Sequence, residues 1–446
     1  MRLDSGKPFR DFVDMENGLV DRIIFSDQAI YEMELERIFA RCWNFMCHES
    51  QIPNKGDYFL SFIGEESVIA TRDKTGTLQV FINSCRHRGN AVCRAESGNA
   101  RSFLCTYHGW TFGLDGKLIG VPGYKDLYHE DLKREEWGLI SAGKVQSYKG
   151  FVFATMDPEA PDLEEYLGPV GRLGIDLCAS RGDLVAFEGV QKNVIGCNWK
   201  LAVDNLFDYY HVQITHASAF MTSYTPGQTA ARRAAQQNPM AHRVVLGEYG
   251  HAIGGPRILD EEWEEIGVAP SASPQTEEWR KRPAAEENLG EVAQRMRGQP
   301  NIFPNLWLTG QGYQFSLRLP KGPYATEIWW FTFVDKTLSD ADKRVRARVN
   351  TRAFGPAGML EQDDGENWDQ STRATMGVVS RRYPLNFQMN LGRGEPTLSN
   401  QGVSYIDTAI NEHGQLWTYQ AWAQWMDASN WAELKANHSA VPDKAF

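Results

Sequence analysis

Two short segments restrict this chain more than any other feature: Cys85-Arg86-His87-Arg88-Gly89-Asn90 and Cys105-Thr106-Tyr107-His108-Gly109-Trp110, with 17 residues between His87 and Cys105. Seven Cys and ten His in 446 residues give a chance expectation of 7 × 10/446 ≈ 0.16 for C-x-H and the same for C-x-x-H, so chance does not explain the two together. Two thiolates and two imidazoles suit either one tetrahedral Zn²⁺ or a [2Fe–2S] cluster in which two His replace two Cys on one iron. The glycines that follow each pair favour the cluster, because they let backbone N–H groups approach bridging sulfides, which a lone zinc does not use. The remaining cysteines, Cys42, Cys47, Cys93, Cys178 and Cys197, have no histidine at such spacing and read as buried thiols.

Around these pairs, from Trp43 to Pro158, the chain is a series of short alternating apolar runs broken by turn signals, with Asp73-Lys74-Thr75-Gly76 marking a hairpin. This predicts a small all-β domain. Beyond Pro161 the pattern lengthens, with helical segments over 198–212, 357–376 and 415–435 and strands over 313–319 and 327–334, so an α+β domain with an antiparallel sheet is expected. Between Met221 and Arg297 the polar stretches rich in Ala, Gln, Pro and Glu read as long loops or a lid. At 446 residues, 42% hydrophobic and 23% charged, the chain can bury a large core in two or three domains. Its net charge of −11 argues against a sequence-independent nucleic-acid binder. With no long apolar run and no apolar core in the N-terminal segment, a cytoplasmic protein without membrane contact is expected.

A second constellation lies in the later region. Asn198 caps a run predicted to be helical through Val212, in which Asp204, Asp208 and His211 fall within about 60° of one another on one face. His216, five residues after His211, would point about 140° away on a continuous helix, so the helix must end or distort if both imidazoles are to meet one ion. Two His supply two corners of a 2-His-1-carboxylate set, which leaves open positions on non-haem Fe(II) for O₂ and water. The acidic run Glu361-Gln362-Asp363-Asp364-Gly365-Glu366 offers the carboxylate, although read alone it favours a solvated helix face.

The motif C-R-H-R-G, followed after 17 residues by C-x-Y-H-G-W, resembles the Rieske motif of aromatic ring-hydroxylating oxygenases. N-W-K at Asn198, D-x-x-H-x-x-x-x-H from Asp208 and F-x-x-x-G-x-x-E-Q-D-D-G-E-N-W from Phe354 resemble, in order, that family's catalytic domain, near the naphthalene and biphenyl dioxygenase large subunits. The likeness runs from about Ile23 to Leu434. It implies a Rieske domain at 40–157 inserted in a helix-grip catalytic domain made of 1–39 and 158–446. It implies that Cys85, His87, Cys105 and His108 hold one [2Fe–2S] cluster, that His211, His216 and Asp364 hold one Fe(II), and that Asp208 and Asn205 serve catalysis. Leu206, Val212, Phe354 and Leu360 are expected as pocket walls.

The implied reaction adds both atoms of O₂ to an aromatic ring as a cis-dihydrodiol. No G-x-G-x-x-G after a strand is evident, so the electrons of NAD(P)H would arrive through a reductase and a ferredoxin. The resemblance further implies a homotrimer, with or without a small β subunit, in which Asp208 links His211 to His108 of the next subunit. A monooxygenase or demethylase would use the same ligands; an electron carrier would not need the second metal set, and a zinc-stabilised binding protein would be colourless. The chain also departs from the family's pattern. Asp204 stands where the family commonly has Glu before Asn205, the step from Asn205 to Asp208 is one residue short of the naphthalene type, and Met359 and Leu360 replace bulkier aromatics.

Other candidates rank lower. His48, His129, His242, His251, His413 and His438 lack a second ligand at usable spacing and read as structural or exposed. Trp417, Tyr419, Trp422, Trp425 and Trp431 read as core, and Arg232-Arg233 as a solvated loop pair.

Overall fold

The computed structural model describes residues 7–221, 240–267, 277–309 and 313–438; the Arg232-Arg233 pair lies outside them. The chain forms two compact units, one from Phe39 to Leu163 and one that joins the chain up to Ile38 with the chain from Glu164 on. Among the described residues no helix is long and apolar enough to cross a membrane.

The Phe39–Leu163 unit is all β. Strands Leu78–Ile82, Glu66–Arg72, Asp57–Ile63 and Ser97–Asn99 form one sheet in that order, and Lys144–Tyr148, Phe151–Thr155 and Asn44–His48 form another. The predicted hairpin turn is built by Asp73, whose Oδ1 accepts from Thr75, Gly76 and Thr77 N–H at 2.8, 3.1 and 3.0 Å. Burial raises its carboxyl pKa, but the bonds from the Thr75 hydroxyl and the Gln79 amide, with those from Thr75 and Thr77 N–H, outweigh it and hold the carboxyl down at about 2. A third sheet, Leu118–Gly120, Thr111–Phe112 and Phe103–Leu104, shares a core of Phe81, Trp110, Phe112 and Leu118 with Cys85 and Cys105.

The other unit is built on nine antiparallel strands, in the order Leu184–Ile195, Thr326–Asp335, Gln314–Pro320, Leu306–Leu308, Gln299–Ile302, Ala252–Pro256, His242–Leu246, Ser404–Thr408 and Pro396–Leu398. Alternation along the strands gives the two faces different chemistry. One carries Leu306, Phe315, Leu317 and Ile302, and helix Leu163–Ala179 lies so close to it that a Cβ on Gly174 would meet Pro300 and Ile302. The opposite face carries Asn301, Trp307, Ser316, Arg318 and Trp330, and faces helix Met359–Thr375.

Three expectations change. The run 198–212 is not one helix: Trp199–Asp204 passes into a 3₁₀ turn at Asn205–Phe207, Asp208 is extended, and a short helix resumes at Val212. Asp208 causes the break, because its Oδ1 accepts from Tyr210 and His211 N–H at 2.7 and 3.1 Å and so competes with helix propagation. The last helix is likewise two, His413–Asp427 and Trp431–Asn437, the second capped by Asn430. Its aromatics are core as expected, but they are not without polar company: the Trp417 indole donates to the Gly247 carbonyl and that of Trp422 to Glu34. Of the polar stretches read as loops, 222–239 and 268–276 lie outside the described residues; between them the chain forms two sheet strands, and the end of the second stretch enters helix Pro283–Gln294, because Leu289, Val292, Ala293 and Met296 bury against Val245 and Ile253.

Candidate metal centres

The two Cys-His segments fold into matching loops. In one, Cys85 N–H donates to the Asn90 carbonyl at 2.9 Å and Gly89 N–H to the Cys85 carbonyl at 2.8 Å; in the other, Cys105 N–H donates to Trp110 at 2.8 Å and Gly109 N–H to Cys105 at 2.9 Å. Both turns need a positive φ, 72° at Gly89 and 76° at Gly109, which is the physical reason a glycine stands four residues after each cysteine. The glycine N–H groups are therefore spent on the cysteine carbonyls rather than on sulfides. The N–H groups that do approach sulfur come from His87 and Arg88 toward Cys85 and from Tyr107 and His108 toward Cys105.

The loops set the thiols of Cys85 and Cys105 side by side and the rings of His87 and His108 4.5 Å apart between centroids. His87 stacks on Trp110 at 5.1 Å, and its Nδ1 is buried with no hydrogen-bond partner. Paired thiols beside paired imidazoles fit two irons, one with sulfur and one with nitrogen ligands. A single tetrahedral Zn²⁺ would draw all four ligand atoms together. Among the described residues, the set of three or more such atoms gathered within 4.8 Å is a different one.

That set is His211, His216 and Asp364. His211 follows the Asp208 turn, His216 ends the Val212–Thr215 helix, and Asp364 sits on the inner face of helix Met359–Thr375. Oδ1 of Asp364 lies 3.3 Å from Nε2 of His211 and 3.4 Å from Nε2 of His216 and has no hydrogen bond of good geometry, although the carboxylate is buried. A carboxylate and two imidazoles aimed at one point, short of a donor, fit a divalent cation. Asp363 is not idle beside them: its Oδ2 is 3.3 Å from Nδ1 of His216, as Oδ2 of Asp208 is 3.3 Å from Nδ1 of His211. Burial alone would lower the His211 pKa, but Asp208 and Asp364 outweigh it and raise it to about 10, which measures how strongly this point attracts positive charge. Burial also works against ionising Asp208, yet the bonds from His211 and Tyr210 hold its carboxyl below the usual range.

Asn205 contributes its backbone carbonyl to the Asp208 N–H at 3.2 Å. Leu206 is buried within the 3₁₀ turn, Val212 opens the short helix, and Leu360 lies one turn before Asp364 on the same helix. Phe354 stacks on Trp330 at 4.8 Å and meets Trp307 edge-on at 5.4 Å. Sequence reasoning missed Glu34, which accepts from the Trp199 indole at 2.8 Å and pairs with Lys200 at 2.5 Å, fixing the helix that leads to His211 and His216. His48, His242, His251 and His413 are buried, and none belongs to the gathered set of ligand atoms.

Comparison with known proteins agrees with this geometry. Residues 42–148 match the Rieske [2Fe-2S] domain and residues 169–428 the ring hydroxylating alpha subunit (catalytic domain). The biphenyl 2,3-dioxygenase subunit alpha of Rhodococcus jostii (strain RHA1) is 35% identical over 97% of this chain and 94% of its own. The large oxygenase component of a naphthalene 1,2-dioxygenase system from Pseudomonas aeruginosa is 34% identical over 94% of each. A crystal structure of a naphthalene 1,2-dioxygenase variant bound to phenanthrene superposes with a TM-score of 0.86, at 31% identity over 96% of this chain and 97% of that one. With both domains matched in order and relatives aligned over nearly the whole length, the chain belongs to the alpha subunits of Rieske aromatic ring-hydroxylating dioxygenases.

Proposed function

We propose that this terminal oxygenase takes electrons from NAD(P)H, through a reductase and a ferredoxin, and converts an aromatic ring of a multi-ring compound into a cis-dihydrodiol. The balance is one arene, one O₂, one NAD(P)H and one proton giving one dihydrodiol and NAD(P)⁺. The observation that carries the reading is the convergence of His211, His216 and Asp364 on one point.

When bound, the cluster supplies single electrons and the iron supplies the site at which O₂ is reduced. Cys85, Cys105, His87 and His108 hold the first; His211, His216 and Asp364 hold the second. Asp208 and Asp363 take the outward N–H of each iron-binding imidazole, which fixes ring orientation and leaves the inward nitrogen free of a proton. Helix Met359–Thr375 presents Leu360 on the Asp364 face, where a smaller side chain than the aromatic expected of a naphthalene enzyme leaves room for a larger ring system.

We further propose a homotrimer, with or without a small β subunit, in which Asp208 of one subunit reaches His108 of the next. In support, the Asp208 side chain is 33% exposed, and Tyr210 and Ile214 beside it are exposed at 68% and 81%, as is Tyr107 at 58% beside His108. The test is turnover with a reductase, a ferredoxin and isotopically labelled O₂ over a panel of biaryls and fused arenes. Dihydrodiols carrying two labelled oxygens are expected. A single labelled oxygen, or loss of a methyl group, would instead assign the chain a monooxygenase or demethylase role.

A further inference from the structure

The polar face of the nine-stranded sheet is unusual for the wall of a hydrocarbon site. Register pairing places Gln191, Trp330, Ser316, Trp307 and Asn301 in one row across five strands. At one end the row runs under the iron helix and the loop before it: a Cβ on Gly365 would meet Ile195 and one on Gly355 would meet Gln191, both on the same face. At the other end Gln299, two residues before Asn301 and on its face, donates to the Tyr209 hydroxyl at 2.7 Å, next to Asp208. The row therefore spans from one iron-binding segment to the other.

Its middle is short of hydrogen bonds. Asn301 is 0% exposed, yet neither its Oδ1 nor its Nδ2 has a partner; Trp307 and Gln314 are buried, and Nε1 of the one and Nε2 of the other are likewise unpaired. Ser316, between them, is satisfied by Arg318 at 2.9 Å, and Thr309, the next residue on the Trp307 face, uses its hydroxyl on the Gln314 carbonyl at 3.0 Å. Among the described residues several buried indoles find acceptors, Trp43 at Pro161, Trp199 and Trp422 at Glu34, and Trp417 at Gly247, whereas those of Trp330 and Trp431, like that of Trp307, do not. Unpaired buried donors are costly and are kept where a ligand completes them. An indole N–H can only donate, and Asn301 Nδ2 and Gln314 Nε2 add amide donors beside it, so three donors there await an acceptor, while Asn301 Oδ1 awaits a donor.

We propose that Asn301, Trp307 and Gln314 form a subsite for the carbonyl oxygen of an oxygenated aromatic substrate, so that this enzyme prefers ketone- or amide-bearing arenes to bare hydrocarbons. The inference rests on the dioxygenase reading above and assigns its substrate class. A site that hydrogen-bonds one substrate group discriminates against the analogue that lacks it far more sharply than an apolar pocket resolves size.

Fluorenone and fluorene have the same three-ring frame and differ by a carbonyl in place of a methylene. With the holoenzyme, reductase and ferredoxin, the kcat/KM ratio of fluorenone to fluorene is expected to be about tenfold or more in favour of the ketone. Asn301→Leu, similar in volume, and separately Trp307→Phe should each lower that ratio about tenfold, with iron content and the reduced-cluster EPR signal showing that the variants are folded. A native ratio near one, as when ordered water fills the subsite, or a ratio unmoved by both variants, overturns the subsite while labelled dihydrodiols from either compound leave the dioxygenase reading standing. If no arene gives a labelled dihydrodiol, both fall.

Discussion

An imidazole that binds metal through one nitrogen is oriented by whatever receives the N–H of the other, and here both His211 and His216 have a carboxylate in that place. Asp364→Ala should lose the mononuclear iron and keep the cluster's colour. Asp363→Ala should retain iron but release it about 10- to 100-fold more readily to a chelator, measured as iron per chain after graded chelation. Equal and complete loss in both would mean that the two neighbours share the ligand role. The gathering of His211, His216 and Asp364 was legible because the two histidines and the Asp363-Asp364 pair stand in recognisable spacing. The role of Asp363 was not, because divergence by about 100° on a helix only says that it misses the iron, not that the far nitrogen of His216 lies on its side. His251 shows the same limit in a residue with no part in the chemistry. Its Nε2 donates to the Tyr166 carbonyl at 2.9 Å and its Nδ1 accepts from Phe303 N–H at 3.1 Å, so the ring is locked neutral, and burial holds its pKa at about 4. A folded value below the ordinary 6.5 means a contribution fully present above about pH 6.5 and lost as pH falls through about 4, worth about 3 kcal/mol at most. The melting temperature of His251→Gln should therefore be below that of the wild type at pH 8 and close the gap toward pH 4. A gap that is constant with pH would show that His251 is not the titrating group.

Among the elements, the N-W-K segment was visible as a pattern but its physics was not. Asn198 caps the helix through Lys200 N–H at 3.1 Å and also ties it to the Pro323 carbonyl at 2.9 Å, while Trp199, Lys200 and Trp422 all converge on Glu34. Glu34 lies 165 residues before Trp199, on the far side of the inserted β unit, and no local periodicity could select it. Burial lowers the Lys200 pKa and the Glu34 charge opposes it, so neither partner tolerates being left alone. Glu34→Ala should cost about 3–5 kcal/mol, whereas the double replacement Glu34→Leu with Lys200→Met should recover most of it. Thermal unfolding of the iron-loaded protein checks this, and a double variant as unstable as the single would mean that the two Trp N–H groups, not the ion pair, carry the cost. The opposite lesson comes from the run 198–212. Its apolar and acidic residues do repeat at helical spacing, but an Asp side chain that captures two backbone N–H groups ends a helix, and periodicity carries no trace of that.

At the scale of the molecule, two units and their order were legible because composition shifts from short alternating runs to long amphipathic ones. The polarity of the sheet's inner face was not, because it depends on strand register, which brings Gln191, Trp330, Trp307 and Asn301 into line from segments up to 139 residues apart. The proposed trimer gives the path of electrons between the two metal sites a decisive test. If Asp208 links His211 to the next subunit's His108, a cluster serves its neighbour's iron and not its own. A chain made clusterless by His87→Ala and a chain made iron-free by Asp364→Ala are each inactive alone. Co-assembled in equal amounts around a closed ring, an intact iron site meets an intact neighbouring cluster in about a quarter of positions, so about a quarter of wild-type turnover should return. Asp208→Asn placed in the cluster-deficient chain, which supplies the intact iron sites, should abolish that recovery while both metal contents stay unchanged. No recovery from the first mixture, with mixed assembly verified by differently tagged chains, would show that the two centres of one chain work together and that Asp208 acts only by orienting His211.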